Sequence, residues 1–413
     1  MKRKRSLGGV VVATTTGEFT ARPGRSESLR QANVREVVHL LRTHGPCSRA
    51  DLARASGLSA PTVSSVIASL RRKGLIEEMG PGVSNGGRRP DLMRFNAQYG
   101  YVAGVDIGGS QVRVALADLT GTVIGKWSKA AREDRTPAGI VARIHEGIRE
   151  LARLHHLPSK RILALATGAP GITDVRAGLV LSAPHLTRWQ NVPLRELLEA
   201  RTNIPTAIEN DVNLGALGES WCGSARGVRN FVFLAIGTGV GAGIFVNGHL
   251  YHGSDWSAGE VGYLQVPGTE DFPLILNRPG PLESVIGGLG IERAWKELVK
   301  NNGHGGGNSH RLKPTQIFDN ARDGDLASRK ILEATAHILA RAVANLSVTL
   351  NPSLIVFGGG IGTNLTLFQT TRRILEQNEL AAARLALSLL GADAQLYGAI
   401  RLALDHAQAK LIG

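Results

Sequence analysis

Three polar side chains, Glu209, Asn210 and Asp211, arrive together where the short apolar run IPTAI (residues 204–208) ends. A carboxylate at the open end of a buried strand can act on a hydroxyl-bearing ligand in two ways. It can take the hydroxyl proton as a general base, or accept its hydrogen bond without reaction. The same chain carries three glycine clusters: DIGGS (106–110), GTGVGAG (237–243) and FGGG (357–360). Glycines without side chains let backbone N–H groups approach phosphate oxygens closely, so a phosphate-bearing ligand is the natural occupant of such loops. One glycine loop is a weak signal, because glycine also serves ordinary tight turns. Three in related contexts point to a built site.

The elements that position these groups alternate between strand-like and helical runs from residue 100 onward, which predicts α/β architecture. YVAGVDIGGSQVRVALADLTGTVIGKW reads strand, glycine loop, strand, turn at Thr120-Gly121, strand. FVFLAIGTGVGAGIFVNGHLYHG repeats that plan about 130 residues later, with its turn at Asn247-Gly248. No Gly-Lys-Ser/Thr follows any loop, which excludes a Walker loop. The first loop leads into another strand rather than a helix, which excludes a Rossmann unit.

Taken together and in order, DIGGS, TGAPG (167–171), ENDVN (209–213), GTGVGAG, Gly259-Glu260 and FGGG resemble the ROK family of repressors, open reading frames and sugar kinases. The resemblance implies an actin-like, duplicated ribonuclease-H-type body in two lobes, spanning residues 99–413. It implies that Asp106, Gly108, Gly109 and Ser110 form a first phosphate loop. Gly237, Thr238, Gly239 and Gly241 would form a second, and Gly358 and Gly359 would border an adenosine pocket. Gly171, Asn210, Asp211, Glu260 and Glu283 would hold a sugar. In the kinases of the family, the aspartate at the position of Asp211 takes the proton from the attacking sugar hydroxyl, with ATP and Mg²⁺ as co-substrate. Ser110 stands where threonine is usual.

The pattern breaks at 259–284, GEVGYLQVPGTEDFPLILNRPGPLES. The family continues from Gly-Glu into a histidine and a cysteine-rich loop that bind structural zinc. Here Tyr263 replaces the histidine and no cysteine follows, so zinc is expected to be absent. Glu260 and Glu283 remain without that metal, which predicts a sugar site too loosely held for phosphoryl transfer yet adequate for binding. The expectation is therefore sensing without catalysis: no cofactor is required, although ATP and Mg²⁺ can be accommodated. Plainer roles stand beside these. Asp211 could cap the helix VNLGALGES, Glu260 could cap a turn, and Tyr263 and Trp189 could pack in the core. His249 and His252 read as turn residues without chemistry, and NNGHGGGNSHR (301–311) reads as a flexible loop.

Ahead of this body, residues 28–98 read as a winged helix-turn-helix. SLRQANVREVVHLLRT carries an apolar stripe ended by HGP, and SRADLARASG can be capped by Ser48 and stopped by Gly57. LSAPTVSSVIASLRRKG turns Val63, Val66, Ile67 and Leu70 inward, with Ser59 at its N-cap. Thr62, Ser64 and Ser65 are left outward to reach bases, and Arg71 and Arg72 to reach phosphates. Strand, glycine-rich turn and strand follow as a wing, with Arg88 and Arg89 at its tip. Residues 1–98 hold 17 Lys and Arg against 7 Asp and Glu, which is +10 of the net +14 of the chain. That concentration points to double-stranded DNA as partner. Residues 1–27 read as a flexible basic arm.

The 413 residues, 43% hydrophobic and 20% charged, suit a multidomain globular protein. No uninterrupted apolar run is long enough for a membrane span. The start MKRKRSLGGVVVATTT lacks the apolar core and cleavage site of a signal peptide. Two distant cysteines, Cys47 and Cys222, exclude a disulfide framework, and cytoplasm is the expected compartment. The reading is a homodimer or tetramer that binds a palindromic operator and responds to a sugar or sugar derivative. A sugar kinase with an added DNA-binding domain is the alternative.

Overall fold

The computed structural model describes residues 24–82, 89–109, 111–130, 134–183, 186, 188–275, 278–301, 312–377 and 383–412, with side chains from 29 to 411. Residues 1–23, Arg88 at the predicted wing tip, Ser110 of the first glycine loop and residues 302–311 lie outside these. The chain divides into two compact units between Phe95 and Asn96. That is three residues before the division expected from sequence, because Ala97 already belongs to the body: its carbonyl accepts from Leu119 N–H at 3.1 Å.

The N-terminal unit holds α1 (Gly24–His44), α2 (Arg49–Ser56), α3 (Ala60–Arg72), β1 (Ile76–Pro81) and β2 (Asp91–Phe95). Helix α1 begins inside the segment expected to be a flexible arm, four residues before the predicted start. Ser48 caps α2 and forms a reciprocal capping box with Asp51, and Gly57 ends the helix in the left-handed region at φ +68°. Ser59 caps α3 by accepting from Thr62 N–H at 3.3 Å. Val37, Leu41, Leu52, Val63, Ile67 and Leu70 close a small core. Strands β1 and β2 pair antiparallel, and Cys47 adds a one-residue bridge to Met93. Three helices and a two-stranded wing result.

The body begins with β3 (Tyr101–Ile107), β4 (Gln111–Asp118) and β5 (Val123–Ala130), then α4 (Pro137–Leu154), β6 (Ile162–Ala169), β7 (Ile172–Asp174), β8 (Leu179–Ser182), β9 (Gln190–Val192), α5 (Leu194–Thr202), β10 (Thr206–Asn210) and α6 (Asp211–Cys222). Its second half runs β11 (Phe231–Ile236), β12 (Val240–Val246), β13 (His249–Leu250), α7 (Pro281–Ile286), α8 (Gly288–Asn301), α9 (Pro314–Arg322), α10 (Leu326–Leu350), β14 (Leu354–Gly358), α11 (Gly359–Gly362), α12 (Leu365–Glu376), β15 (Arg384–Leu387) and α13 (Ala394–Ile412). The two main sheets have orders β10-β6-β3-β4-β5 and β15-β14-β11-β12-β13. Each is an antiparallel three-strand meander extended by two parallel strands. The duplication expected from the glycine loops is thus a duplication of whole sheets.

Alternation along β11 explains the layering. Val232, Leu234 and Ile236 face a core shared with α7 to α10 and α12. Phe231, Phe233 and Ala235 face the opposite side, towards Ala216 of α6 and Ala394 of α13. Helices α6 and α13 cross closely because their contacts are glycines: a Cβ on Gly398 would stand 1.8 Å from Leu214 O, and one on Gly218 would stand 2.3 Å from Ala394 O. The first sheet packs its other face on α4 and α5 through Val105, Ile107, Val114, Ile144, Ile148 and Leu198. Helix α10 is apolar and long enough to cross a membrane by length and composition alone. Half of it is buried in the body, where Leu332, Leu339 and Val343 fill the second core.

Candidate functional site

Helix α6 carries the site because it starts at the end of β10 and runs under the second sheet. The loops that follow β3, β11 and β14 converge at its start. A Cβ on Gly109 would stand 3.7 Å from Thr238 Oγ1, and one on Gly237 would stand 4.0 Å from Gly360 N. Gly109, Thr238 and Gly360 are all exposed, so bare backbone from three loops borders one open space. Exposed glycine backbone of this kind makes a cradle that leaves N–H groups open to close approach. Gly358 and Gly359 have a packing role that the sequence reading did not give them. Their Cβ positions are filled by Phe233 at 2.2 Å and Ile236 O at 2.4 Å, so they serve close packing, and Gly360 is the member of the run that faces the cradle. Gly241 lies against Val212 of α6, and Gly108 N–H closes the first hairpin loop on Gln111 O at 3.0 Å.

Four carboxylates gather beside the cradle. Asp211 occupies the first position of α6, but Asn210 does the capping: its Oδ1 accepts from Asn213 N–H at 3.0 Å. Asn210 Nδ2 donates to Gly171 O at 2.9 Å, leaving one N–H for a ligand. Gly171 sits at φ +84° with Ser182 O where a Cβ would be, which only glycine permits. Asp211 accepts from backbone N–H groups, that of Val212 at 2.9 Å and its own, and among the described residues no side chain donates to it. Burial pushes its pKa to about 7, the charges of Asp106 and Glu260 push the same way, and the Val212 N–H opposes them. A carboxylate so placed is half ionised near neutrality, which suits a group that must accept a proton. Glu260 is likewise raised, by burial and then by Glu283. Its side chain makes no capping bond to the short turn that it precedes. Glu283 Oε2 accepts from Val240 N–H at 2.9 Å, which fastens it to the strand leaving the second glycine loop.

The described residues between Glu260 and Glu283 make several contacts that sequence reading did not supply. Tyr263 does not simply pack. Its hydroxyl donates to Arg278 O at 2.9 Å and ties the two ends of the segment together. Gly280 presses so closely on Gly262 that a Cβ would meet Gly262 O at 2.3 Å. Arg341 of α10 donates to Pro267 O at 2.7 Å, and Arg293 of α8 lies 4.9 Å from the Phe272 ring centre. Among the described residues, no three or more His, Cys, Asp or Glu side chains are grouped to hold a metal ion.

Several residues of the site were not read from sequence. Arg113 donates from Nε and Nη2 to the same oxygen of Asp106, at 2.9 and 2.7 Å, and from Nη1 to Asp393 at 3.3 Å. Burial raises Asp106 more than this guanidinium lowers it, with a smaller push from Asp393. The signal was available: folding the hairpin about its glycine loop sets Arg113 directly opposite Asp106. Glu209 and His252 were missed for the opposite reason, since 43 residues separate them. The sequence reading gives His252 no chemistry, yet its Nε2 lies 2.8 Å from Glu209 Oε2. Trp189 packs as expected, 3% exposed, with its indole N–H on Arg135 O.

In the N-terminal unit, Ser64, Ser65, Arg71, Arg72 and Arg89 are exposed, and Thr62 is half-buried with its hydroxyl 2.8 Å from that of Ser59. Arg71 is partly engaged by Glu78 of the wing, at 2.6 Å. Thr62, Ser65 and Ser69 line a groove of about 520 Å³ shared with Arg30 and Asn33 of α1.

A winged helix-turn-helix followed by a duplicated kinase-like body defines a regulator built on a sugar-kinase scaffold. Residues 102–406 match the ROK family and residues 35–79 the MarR family. The chain belongs to the ROK family. It is 30% identical to the xylose repressor of Caldicellulosiruptor bescii over 364 residues, covering 87% of this chain and 91% of that one. A ROK family transcriptional regulator, described as a homologue of the Escherichia coli MLC protein, shares the fold with a TM-score of 0.77 at 24% identity, covering 93% and 99% of the two chains. The ROK glucokinase of Streptomyces griseus, solved with glucose and AMPPNP, superposes with a TM-score of 0.63 at 27% identity over 74% of this chain and all of that one.

Proposed function

We propose that this chain is a sugar-responsive transcriptional repressor of carbohydrate-related genes, acting in the cytoplasm as a homodimer on a palindromic operator. The observation that carries the reading is the presence, on one chain, of a basic winged helix-turn-helix and a pocket of ligand-facing carboxylates. The exposed faces of α3 and the wing supply DNA contacts. Asp211, Glu260 and Glu283 offer directional acceptors to sugar hydroxyls and Asn210 an amide N–H, with Gly171 as backbone floor. D-xylose, the sugar in the name of the Caldicellulosiruptor relative, is the first candidate effector. Sugar binding lowers operator affinity to the extent that the sugar prefers the DNA-free arrangement. The test is operator binding by the full chain with and without each of a panel of aldopentoses and aldohexoses. A chain lacking residues 1–98 that still bound operator would remove the winged unit from the proposal.

A second reading, an ATP-dependent sugar kinase, has one observation in its favour: an Asp211 carboxyl near pKa 7 beside three converging glycine loops. Bound there, Mg-ATP would supply the transferable phosphoryl group. Gly109 and Gly360 would carry its phosphates on backbone N–H groups, the Gly237 N–H being turned inward to Gly239 O at 2.9 Å, and Asp211 would accept the proton of a sugar hydroxyl. Asp106, the carboxylate that the metal would use, already has one oxygen committed twice to Arg113. We therefore place binding ahead of turnover. Steady-state phosphorylation of D-xylose and D-glucose with Mg-ATP decides the matter, and turnover near one per second, abolished in Asp211→Asn, would establish the kinase reading.

A further inference from the structure

Glu209 is 5% exposed and sits directly beneath the Asn210–Asp211 corner. Its Oε1 accepts from Asn210 N–H at 2.8 Å and from Asn213 Nδ2 at 3.0 Å. Its other oxygen faces His252 Nε2 at 2.8 Å. Glu209 is the last residue but one of β10 in the first half of the body, and His252 follows β13 in the second half, so the bond joins the two. A second contact runs alongside it. The His252 ring meets Trp256 edge-on with centres 5.5 Å apart, and Arg176, in the turn between β7 and β8 of the first half, lies 5.5 Å from the Trp256 ring centre. Trp256 is held at φ +63°, in the left-handed region that a tryptophan rarely adopts, which indicates that surrounding contacts fix it.

We propose that His252 is a positioning residue: its bond to Glu209 latches the second half of the body onto β10 and sets the Asn210–Asp211 corner for the ligand. The chain of contacts is short, from His252 to Glu209, from Glu209 to the Asn210 backbone and the Asn213 amide, and from there to the first turn of α6 that carries Asp211. When the lobes separate, this bond must break, and the carboxylate beneath the corner is left buried without its partner. The latch therefore links lobe closure to the geometry of the ligand pocket. The groups facing His252 are Glu209 on β10, Trp256 on its own segment and Arg176 beyond it. The Glu209 hydrogen bond raises the imidazole pKa, burial and Arg176 oppose it, and the Glu209 charge adds to the rise. A raised imidazole pKa makes the latch strongest below the ordinary histidine value. The latch weakens as pH climbs through the folded-state pKa, where the charged hydrogen bond becomes a neutral one.

The effect on ligand affinity rests on the sugar-pocket reading, but the latch does not, so the experiment begins with ligand-free full-length protein. Protection factors for the amides of 210–213 should fall about tenfold or more in His252→Ala. They should recover most of that loss in His252→Gln, whose side-chain amide can still donate, and remain unchanged throughout β3. Wild-type protection at Asn210 and Asn213, whose contacts lead to Glu209, should decline more steeply with rising pH than in the Gln variant, where the Asp211 titration is shared but the imidazole titration is gone. Unchanged protection at 210–213 in both variants would overturn the proposal. If His252→Ala fails to fold, the pH response of His252→Gln against wild type decides alone, and parallel responses would refute the latch. D-xylose and D-glucose then serve as probes. Whichever binds wild type should bind His252→Ala about tenfold more weakly and His252→Gln nearly normally. If neither binds wild type, the pocket reading fails while the latch is still judged on the protection factors.

Discussion

Replacing Arg113 by methionine should isolate the worth of the ion pair behind the first glycine loop. The Arg113 and Asp106 side chains are 17% and 6% exposed, so solvent screens little of the interaction. The variant keeps the apolar stem and removes two hydrogen bonds to one Asp106 oxygen. Asp393 loses one longer bond but retains Lys126 at 2.5 Å, so the cost falls almost wholly on Asp106. Breaking a buried pair by removing one partner costs about 3–5 kcal/mol. The lower end applies, about 3 kcal/mol at pH 8, because Asp106 can escape by taking a proton. Its folded-state pKa is already raised by burial, so ionisation disfavours the folded state as pH rises, and losing Arg113 strengthens that penalty. The destabilisation should therefore shrink as pH falls and Asp106 of the variant takes a proton. Urea unfolding followed by signals of the body, at pH 5 and pH 8, measures this. Adding Asp106→Asn should recover most of the loss at pH 8. A cost below about 1 kcal/mol, or one independent of pH, would refute the assignment of Arg113 as the counter-charge that keeps Asp106 ionised.

Four further outcomes are expected. Arg88→Ala with Arg89→Ala should weaken operator binding and lower its salt slope by about one for each phosphate that an arginine neutralises, and an unchanged slope would remove the wing from the interface. Glu283→Ala should cost roughly 1.5–3 kcal/mol of sugar affinity, the worth of a hydrogen bond to a charged group, and normal binding would place the pocket elsewhere. Elemental analysis should find zinc well below one per chain, with thermal stability unaffected by chelator. Tyr263→Phe should cost about 1 kcal/mol by releasing Arg278 O, and stoichiometric zinc would contradict the clamp assigned to Tyr263.

Local and periodic features were legible in the sequence. The α3 stripe of Val63, Val66, Ile67 and Leu70, the Ser48 and Ser59 caps, and the duplicated strand–loop–strand plan all follow from spacing within a few residues, and the structure has them. The carboxylates Asp211, Glu260 and Glu283 were legible only through the family motif, because nothing local states that residues so far apart share a pocket. Tertiary pairing was the blind spot. His252 looked like a turn residue because its partner Glu209 lies on another sheet. Tyr263 read as a replaced metal ligand because its hydroxyl bond to Arg278 depends on how the intervening segment closes. Gly358 and Gly359 show the same blind spot: a glycine run suggests ligand approach, and nothing local states that two of its members also make room for Phe233 and Ile236. Helix α1 began early because a Gly-Arg-Ser start gives little local warning that a helix has begun.

The central claim is that one chain holds DNA through its winged unit and loosens that hold when a sugar fills the carboxylate pocket. Fluorescence anisotropy with labelled duplexes tiling the non-coding DNA beside its own gene tests it directly, using full-length protein at fixed salt and a panel of aldoses that includes D-xylose. The account predicts one duplex bound on the order of a thousandfold more tightly than random DNA. It also predicts at least one sugar that weakens this binding about tenfold or more, an effect lost in Glu260→Ala with Glu283→Ala while DNA affinity is kept. Specific DNA binding that no sugar changes, or a sugar response that survives the double substitution, would contradict it.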